Sequence, residues 1–305
     1  IVSALGLKDF TQEHVAAYYK SISDDLKELD NNVVFESVNS FWYDQEKAHP
    51  VSNYVSLIDG CYGAGTYKLD NRTLNPCEPV NSWAKEKSRG MVPTIVDKTK
   101  PYMWLLANVT FFQGAWTSDK YVKEMKTFTD ITGKASEMNF FGQVGGQEIK
   151  SFNVGYAEAN LPSVIWLPYG NGAFSMAVVL PPDGMKLDEF VSKMTADDFA
   201  RYSASADKAD KVDFRIPVFE NTFNFPKTKI ESALNTLGIS RMFKSHGEFS
   251  GMFEDEGIYV DNMLMSSRIT VNEKGTVAAA ASVIGQGFMA DLPRVFTADR
   301  PFVYA

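Results

Sequence analysis

The chain has 305 residues, of which 45% are hydrophobic and 22% charged, and its formal net charge is −8. This balance is typical of a globular protein, and the acidic surplus disfavours a surface that binds phosphates, so nucleic acid is not an expected partner. No apolar run approaches the ~20 residues that cross a bilayer, so we expect no membrane span.

The first predicted element is an acidic helix. Thr11 is a good N-cap, and apolar residues from Val15 to Leu29 recur at helical spacing. Its outer face is predicted to carry four acids, and this argues against a heparin-type basic site. These acids are Asp24, Asp25, Glu28 and Asp30.

Further elements follow in chain order. We predict strands at 33–42, 103–112, 163–169 and 173–180, and helices at 50–58, 79–90, 188–194, 196–202 and 227–237. Residues 103–112 are apolar on nearly both faces, which predicts a strand covered on two sides. Gly170-Asn171-Gly172 predicts a hairpin turn.

Later segments are more polar. Residues 203–211 are predicted to be a connection, and 212–225 to be extended, with Pro217 restricting that strand to an edge or a bulge. Residues 258–272 are also predicted to be extended. The sequence contains no internal repeat and no long linker, so we expect one large α+β unit.

Motifs of enzymes and cofactor sites are largely missing. A catalytic triad needs one histidine, and the chain has His14, His49 and His246, but no Gly-x-Ser-x-Gly elbow. There is no His-Glu-x-x-His and no phosphate-binding P-loop, and the partial glycine motifs at 63–65 and 285–287 lack the context of a dinucleotide site. We therefore expect no enzyme activity, no cofactor and no metal.

Two cysteines are present, Cys61 and Cys77. They are too few for a disulfide-rich scaffold or a zinc cage. One disulfide and two free thiols remain equal alternatives.

The most informative segment is 272–282. If it formed a strand, alternate residues would share one face. All residues on that face are small and uncharged, so the strand could enter between two existing strands without overfilling the core. The residues on that face are Thr276, Ala278, Ala280 and Ser282.

This segment, from Glu273 to Ser282, resembles the hinge of the reactive-centre loop of a serpin. Other blocks in family order strengthen the resemblance. They are Asn108-x-x-Phe111-Phe112-x-Gly114-x-Trp116, which resembles the strand that ends in the breach tryptophan, Leu167-Pro-Tyr169, Leu234-x-x-Leu237-Gly-Ile239, Phe249-Ser-Gly251, and the signature Phe296 to Phe302.

The resemblance implies a serpin fold with a large, mostly antiparallel central sheet, two smaller sheets, packed helices and an exposed reactive-centre loop. It also implies a suicide inhibitor of serine proteases, with cysteine proteases as a further target class. The cleaved loop would insert into the central sheet and trap the acyl-enzyme, with Gly275 giving the hinge its backbone freedom. A secreted or cell-surface location follows from the family's usual role. The alternative function is a non-inhibitory serpin-like carrier or chaperone.

The family's counting rule, applied from Glu273 as the first hinge residue, places the reactive bond at Met289–Ala290, with Phe288–Met289 as the alternative. Both bonds imply a target protease of elastase-, chymotrypsin- or subtilisin-like specificity.

Two features depart from the family. The shutter histidine that would bond to Asn108 is replaced by Met265, whose thioether cannot donate a hydrogen bond, so the shutter network is expected to be rewired or partly unsatisfied. Against the serpin pattern, we expect a single domain over 1–305 that is incomplete at both ends, with the hinge and reactive-centre loop at 273–295.

Overall fold

The computed structural model describes residues 3–155, 158, 160–225, 227–244, 249–260, 265–276 and 293–305. Six α-helices lie in this part of the chain. They are α1 (Gln12–Glu28), α2 (Ser52–Tyr62), α3 (Glu78–Lys87), α4 (Leu187–Lys193), α5 (Ala196–Ala204) and α6 (Lys227–Thr236).

Local signals explain where these helices begin and end. The Thr11 side chain caps α1 by accepting from the His14 amide, as predicted. Gly63 and Gly238 have positive φ at the ends of α2 and α6, so the glycine at position 63 terminates a helix and is not part of a dinucleotide loop. Pro50 was expected in the first turn of α2, but that helix begins at Ser52 and Pro50 forms a β-bridge with Phe253.

One of the four acids assigned to the outer face of α1 is not on a surface. Asp24, Asp25 and Glu28 are exposed, whereas Asp30 is only 2% exposed. The reason is that α1 ends at Glu28, so Asp30 lies beyond the helix and no longer follows its periodicity.

The first sheet has six strands in the order β2-β1-β3-β11-β10-β9. β1 pairs parallel with β2, and β11 pairs antiparallel with both β10 and β3. The strands are β1 (Val33–Asp44), β2 (Gly65–Leu69), β3 (Trp104–Ala115), β9 (Phe219–Phe225), β10 (Met265–Asn272) and β11 (Gly275–Thr276).

The predicted burial of β3 on both faces was wrong. Along this strand buried and exposed residues alternate, and Leu106 is 59% exposed between the buried Leu105 and Ala107. The strand is therefore covered on one face within the described part of the chain, which is the usual pattern of an antiparallel sheet.

The second sheet has seven strands. The order is β12-β8-β5-β6-β7-β13, and β4 pairs with β5 off this path. The strands are β4 (Val122–Thr129), β5 (Ala135–Phe152), β6 (Ser163–Tyr169), β7 (Phe174–Leu180), β8 (Asp207–Pro217), β12 (Arg294–Thr297) and β13 (Val303–Tyr304).

Three predictions from the sequence concern strands of this sheet. β6 and β7 form the predicted hairpin across Gly170-Asn171-Gly172. Residues 207–211 were expected in a polar connection, but they belong to β8, because this strand pairs with the long β5 along most of its length. Pro217 is the last residue of β8, and β8 is not an edge strand because it lies between β12 and β5.

The chain divides into two compact units. The first comprises residues 1–29, 35–112 and 221–268, and the second 30–34, 113–220 and 269–305. The second unit contains the hinge residues Glu273, Gly275 and Thr276, and also Trp116. Asn108 belongs to the first unit. The single domain over 1–305 stays a prediction.

Both cysteines are free thiols. Cys77 is buried, its Sγ donates to the Lys100 carbonyl oxygen at 3.3 Å, and burial raises its pKa to about 11. Of the two alternatives left open by the sequence, this structure therefore shows two thiols and not a disulfide.

Candidate functional site

Two hinge residues, Gly275 and Thr276, form a strand, β11, between β10 and β3. Gly275 is opposite Asn272 of β10 and Ala115 of β3, and Thr276 is opposite Val271 and Gly114. The chain reverses direction at Glu273 and Lys274, where the Asn272 side chain accepts from the Lys274 amide at 2.8 Å. The hinge therefore already pairs with a strand on either side at Gly275 and Thr276.

Gly275 occupies a conformation that favours glycine. Its φ is +136°, and a Cβ atom placed on it would lie 2.1 Å from the carbonyl oxygen of Gly114. Because this contact is with backbone and not with a flexible side chain, it cannot be relieved without moving β3. The close approach of β11 to β3 therefore depends on the missing side chain.

Thr276 points into the interior. It is 2% exposed, and its Oγ1 lies 2.8 Å from the hydroxyl oxygen of Tyr169 in a buried hydrogen bond. Burial raises the pKa of Tyr169, so its phenol is neutral at physiological pH and can donate or accept. The Tyr169 hydroxyl also lies 3.7 Å from Met176 Sδ. A small hydroxyl side chain thus occupies the first position of the face predicted to insert.

Trp116 supports this pair. Its indole Nε1 donates to the carbonyl oxygen of Asn272 at 2.8 Å, and its ring stacks on Tyr169 with centroids 4.3 Å apart and planes inclined by 16°. Its backbone amide donates to the Lys274 carbonyl oxygen at 3.3 Å. Trp116 therefore holds both the turn that leads into β11 and the aromatic ring that meets Thr276.

The space beside Tyr169 also requires a small residue on β3. A Cβ atom on Gly114 would lie 3.0 Å from Cδ1 of the Tyr169 ring. Gly114 therefore permits the ring to lie against the backbone of β3 next to the position of Thr276.

Glu273 makes an ion pair at the start of the hinge. Its Oε2 lies 2.9 Å from Nζ of Lys123, with side-chain exposures of 19% and 50%. The atoms are close but not aligned as a hydrogen bond, because that oxygen has no partner by hydrogen-bond geometry. A half-exposed pair of this kind contributes at most about 1 kcal/mol to stability.

Asn108 lies in the first unit, in an exposed polar cluster. Its Nδ2 lies 2.9 Å from Asn39 Oδ1 and 3.3 Å from Ser37 Oγ, and its Oδ1 accepts from Thr110 at 3.1 Å. This amide therefore has partners without a histidine. Met265 is the first residue of β10. The rewiring of the shutter network around Met265 stays a prediction.

The remaining predicted site residues lie outside the described residues. They are Ala278, Ala280 and Ser282 of the hinge, and Phe288, Met289 and Ala290 at the reactive bond. On the far side of this segment, the chain pairs again at β12, which is parallel to β8 and buries Phe296.

Sequence reasoning named Trp116, Gly275 and Thr276, but it assigned no site role to Tyr169 or Lys123. Tyr169 is 107 positions from Thr276, and no local pattern relates two residues at that separation. Within the described ranges, no cluster of three or more His, Cys, Asp or Glu could hold a metal ion. No helix there is both long and apolar enough to cross a membrane.

Comparison with known proteins gives a consistent result. A family model described as Serpin (serine protease inhibitor) matches residues 1–305. The chain is 27% identical to Serine protease inhibitor 42Dd of Drosophila melanogaster, over 99% of this chain and 79% of the relative. It is 25% identical to human leukocyte elastase inhibitor, over 96% of this chain and 79% of the relative.

Solved structures agree in fold. The thermophilic serpin tengpin in its native state superimposes with a TM-score of 0.84 at 22% identity, over 100% of this chain and 77% of that chain. Human thyroxine-binding globulin, crystallised with its ligand, gives 0.83 at 19% identity, over 99% and 79%. These likenesses confirm the predicted α+β fold.

Proposed function

Because the chain belongs to the serpin family, we propose that it is a suicide inhibitor that traps a serine protease as an acyl-enzyme by inserting its cleaved reactive-centre loop. The family model and two of the relatives carry the names of protease inhibitors and not of catalysts, in agreement with the motifs missing from the sequence. The secreted or cell-surface location and the range of target classes stay predictions.

The observation that carries the proposal is the position of β11. Gly275 and Thr276 pair with both β10 and β3, and Thr276 already faces the interior. Continuing the same alternation would direct Ala278, Ala280 and Ser282 inward, and their small side chains suit a buried face. About a dozen new ladder hydrogen bonds at ~1 kcal/mol each would supply roughly 10 kcal/mol for insertion.

The covalent step is an acyl transfer. The serine hydroxyl of the protease adds to the carbonyl carbon of Met289, and the bond from that carbon to the nitrogen of Ala290 breaks. The serine proton passes to the leaving amine of Ala290, and Met289 remains as an ester on the protease. Insertion must then outpace hydrolysis of the ester by water.

The proposed targets have apolar specificity pockets. Methionine or phenylalanine before the cleaved bond suits elastase-, chymotrypsin- or subtilisin-like proteases. The name of the human relative, leukocyte elastase inhibitor, agrees with the first of these classes. A carrier function, as the name of thyroxine-binding globulin implies for that protein, would not require a small inserting face.

The experiment incubates the protein with pancreatic elastase, chymotrypsin, subtilisin and trypsin and separates the products on a denaturing gel. We expect a covalent band at the summed mass with at least one of the first three, and loss of that protease's activity. Cleavage by all four without an adduct would contradict the proposal.

Two neighbouring alanines provide a matched pair of variants. Ala280→Arg places a charge on the inserting face, so we expect cleavage in place of complex formation. Ala281→Arg places the same charge on the opposite face and should still form the complex. Equal behaviour of the two variants would contradict insertion as a strand.

A further inference from the structure

Asp30 is a buried carboxylate in the second unit that the proposed mechanism does not use. It lies just before β1, is 2% exposed, and accepts two backbone hydrogen bonds, from the amide of Asn32 at 2.8 Å and from that of Asn171 at 2.7 Å. Each of its oxygens therefore has an N–H donor. Hydrogen bonds to an ionised acceptor are stronger than neutral ones, so this carboxylate fixes the backbone at both donors.

The second donor belongs to the turn that follows Tyr169. Gly170 has φ of +47°, and a Cβ atom on it would lie 2.1 Å from Asp30 Oδ2. The carboxylate thus occupies the space that a side chain at position 170 would need. Asp30 and the turn of Gly170 and Asn171 fit each other in shape and in hydrogen bonding.

This turn is bonded in its own right to the segment that receives the hinge. The Gly170 amide donates to the carbonyl oxygen of Ala115 at 2.9 Å, and Thr117 Oγ1 donates to the carbonyl oxygen of Gly170 at 2.9 Å. Ala115 is the partner of Gly275 in the β3–β11 pairing. The turn therefore joins Tyr169, which meets Thr276, to Ala115, which meets Gly275.

We infer that Asp30 is a positioning residue for hinge insertion. By holding the turn at Gly170 and Asn171, it fixes the Tyr169 hydroxyl and the end of β3 where Gly275 and Thr276 pair with the sheet. Its two side-chain hydrogen bonds go to Asn32 and Asn171 and not to the described hinge residues. The effect on inhibition rests on the proposed function, whereas the effect on the hinge does not.

Asp44 is a matched control at the other end of β1. It is 4% exposed, and its carboxylate accepts from the Glu46 amide at 2.9 Å and from Asn71 Nδ2 at 2.6 Å. Asp30 and Asp44 thus share residue type, burial and number of hydrogen bonds. Asp44 belongs to the first unit and has no link to the turn at Gly170 through these bonds.

The test compares Asp30→Asn with Asp44→Asn in the full chain by amide hydrogen exchange of the hinge peptide that contains Gly275 and Thr276. An asparagine keeps the shape but turns an N–H donor towards one of the two backbone donors. We expect about tenfold faster exchange in Asp30→Asn, because one hydrogen bond to a charged group is worth at least that factor in an equilibrium constant. Asp44→Asn should leave the hinge unchanged and accelerate exchange near Glu46 and Asn71.

Unchanged hinge exchange in Asp30→Asn, or equal acceleration in both variants, would overturn the inference. The double variant Asp30→Asn with Tyr169→Phe separates positioning from a general loss of stability. The effect of Asp30→Asn on hinge exchange should shrink when the hydroxyl that Asp30 positions is gone. Fully additive effects of the two substitutions on hinge exchange would also overturn the inference.

The functional arm measures how many inhibitor molecules are consumed per protease inactivated. This number should rise in Asp30→Asn and stay at the wild-type value in Asp44→Asn. If the wild type itself forms no covalent complex, the proposed function fails, and hydrogen exchange still decides the role of Asp30 at the hinge.

Discussion

Two polar clusters of this chain differ in their access to water. The hinge cluster, defined as Trp116, Tyr169, Gly275 and Thr276, is buried throughout, and its one side-chain hydroxyl pair is shielded by stacked rings. The Asn108 cluster, defined as the side chains of Asn108, Ser37, Asn39 and Thr110, has its central amide exposed. A buried hydrogen bond cannot be replaced by one to water, whereas an exposed one can. For the proposed inhibitor, control of insertion should therefore lie mainly in the hinge cluster.

The largest effect is expected from Gly275→Ala. The added Cβ atom would lie 2.1 Å from the Gly114 carbonyl oxygen, at a φ of +136° that costs a non-glycine residue roughly 1–3 kcal/mol. Gly275 already pairs with β3 in this structure, so alanine is expected to displace β11. Re-forming this pairing on the way to insertion, at a cost of about 2 kcal/mol, slows insertion about 30-fold. The measurement is the ratio of covalent complex to cleaved inhibitor on a denaturing gel, which should fall accordingly.

Gly133→Ala is the control for this variant. Gly133 lies in the same unit with φ of +86°, but a Cβ atom there meets no atom within 4 Å. It therefore carries the backbone strain without the clash, and the proportion of complex should stay at the wild-type level. If both glycine variants inhibited normally, close pairing of β11 with β3 would not be needed for insertion.

A smaller effect is expected from removing the hydroxyl pair. Tyr169→Phe keeps the ring stacked on Trp116, and Thr276→Val keeps the shape of the hinge residue, but each leaves the other hydroxyl without this bond. Such a loss costs about 1–3 kcal/mol, and the double variant should recover about 1 kcal/mol of coupling. The same gel ratio, converted to a free energy, measures the coupling.

Tyr121→Phe serves as the matched phenol variant. The ring of Tyr121 lies 6.2 Å from that of Trp116. Removing the Tyr121 hydroxyl leaves the bond between Tyr169 and Thr276 in place. Additive single variants, or a Tyr121→Phe effect as large as that of Tyr169→Phe, would show that the hydroxyl pair has no special part in insertion.

The sequence predicted elements whose signals are local. The cap at Thr11 and the Gly170-Asn171-Gly172 turn each lie within a few residues of the element they define, and both are confirmed. The strands β4 and β5 were missed. β4 is rich in lysine and polar residues, and β5 contains three glycines, which weaken a strand pattern although the long antiparallel pairing stabilises it.

For the site, composition along one face was enough to select Thr276, because a face that enters a packed sheet must be small. Gly275 was selected by the resemblance to the serpin hinge. The residues that receive this face could not be found in the same way. Tyr169, Lys123 and Asp30 come from distant segments, and only the folded chain brings them to the hinge. Asp30 was even assigned to a solvent-exposed helix face, because helical periodicity was extended beyond the end of α1.

The smallest effect is expected at Asn108. Asn108→Ala removes bonds of 2.9–3.3 Å that an exposed amide can replace with water. The free energy of unfolding should therefore change by no more than about 0.5 kcal/mol, and the proportion of complex should be unaltered.

Asn81→Ala is the buried counterpart in the same unit, since that side chain is 6% exposed and bonds to the backbone of Ile95 and Val96. Thermal unfolding should separate the two by several degrees, because unsatisfied buried groups cost about 1–3 kcal/mol. A fall in complex formation with Asn108→Ala as large as that with Tyr169→Phe would show that exposed polar contacts also govern opening of the sheet, and that burial alone does not determine which cluster controls insertion.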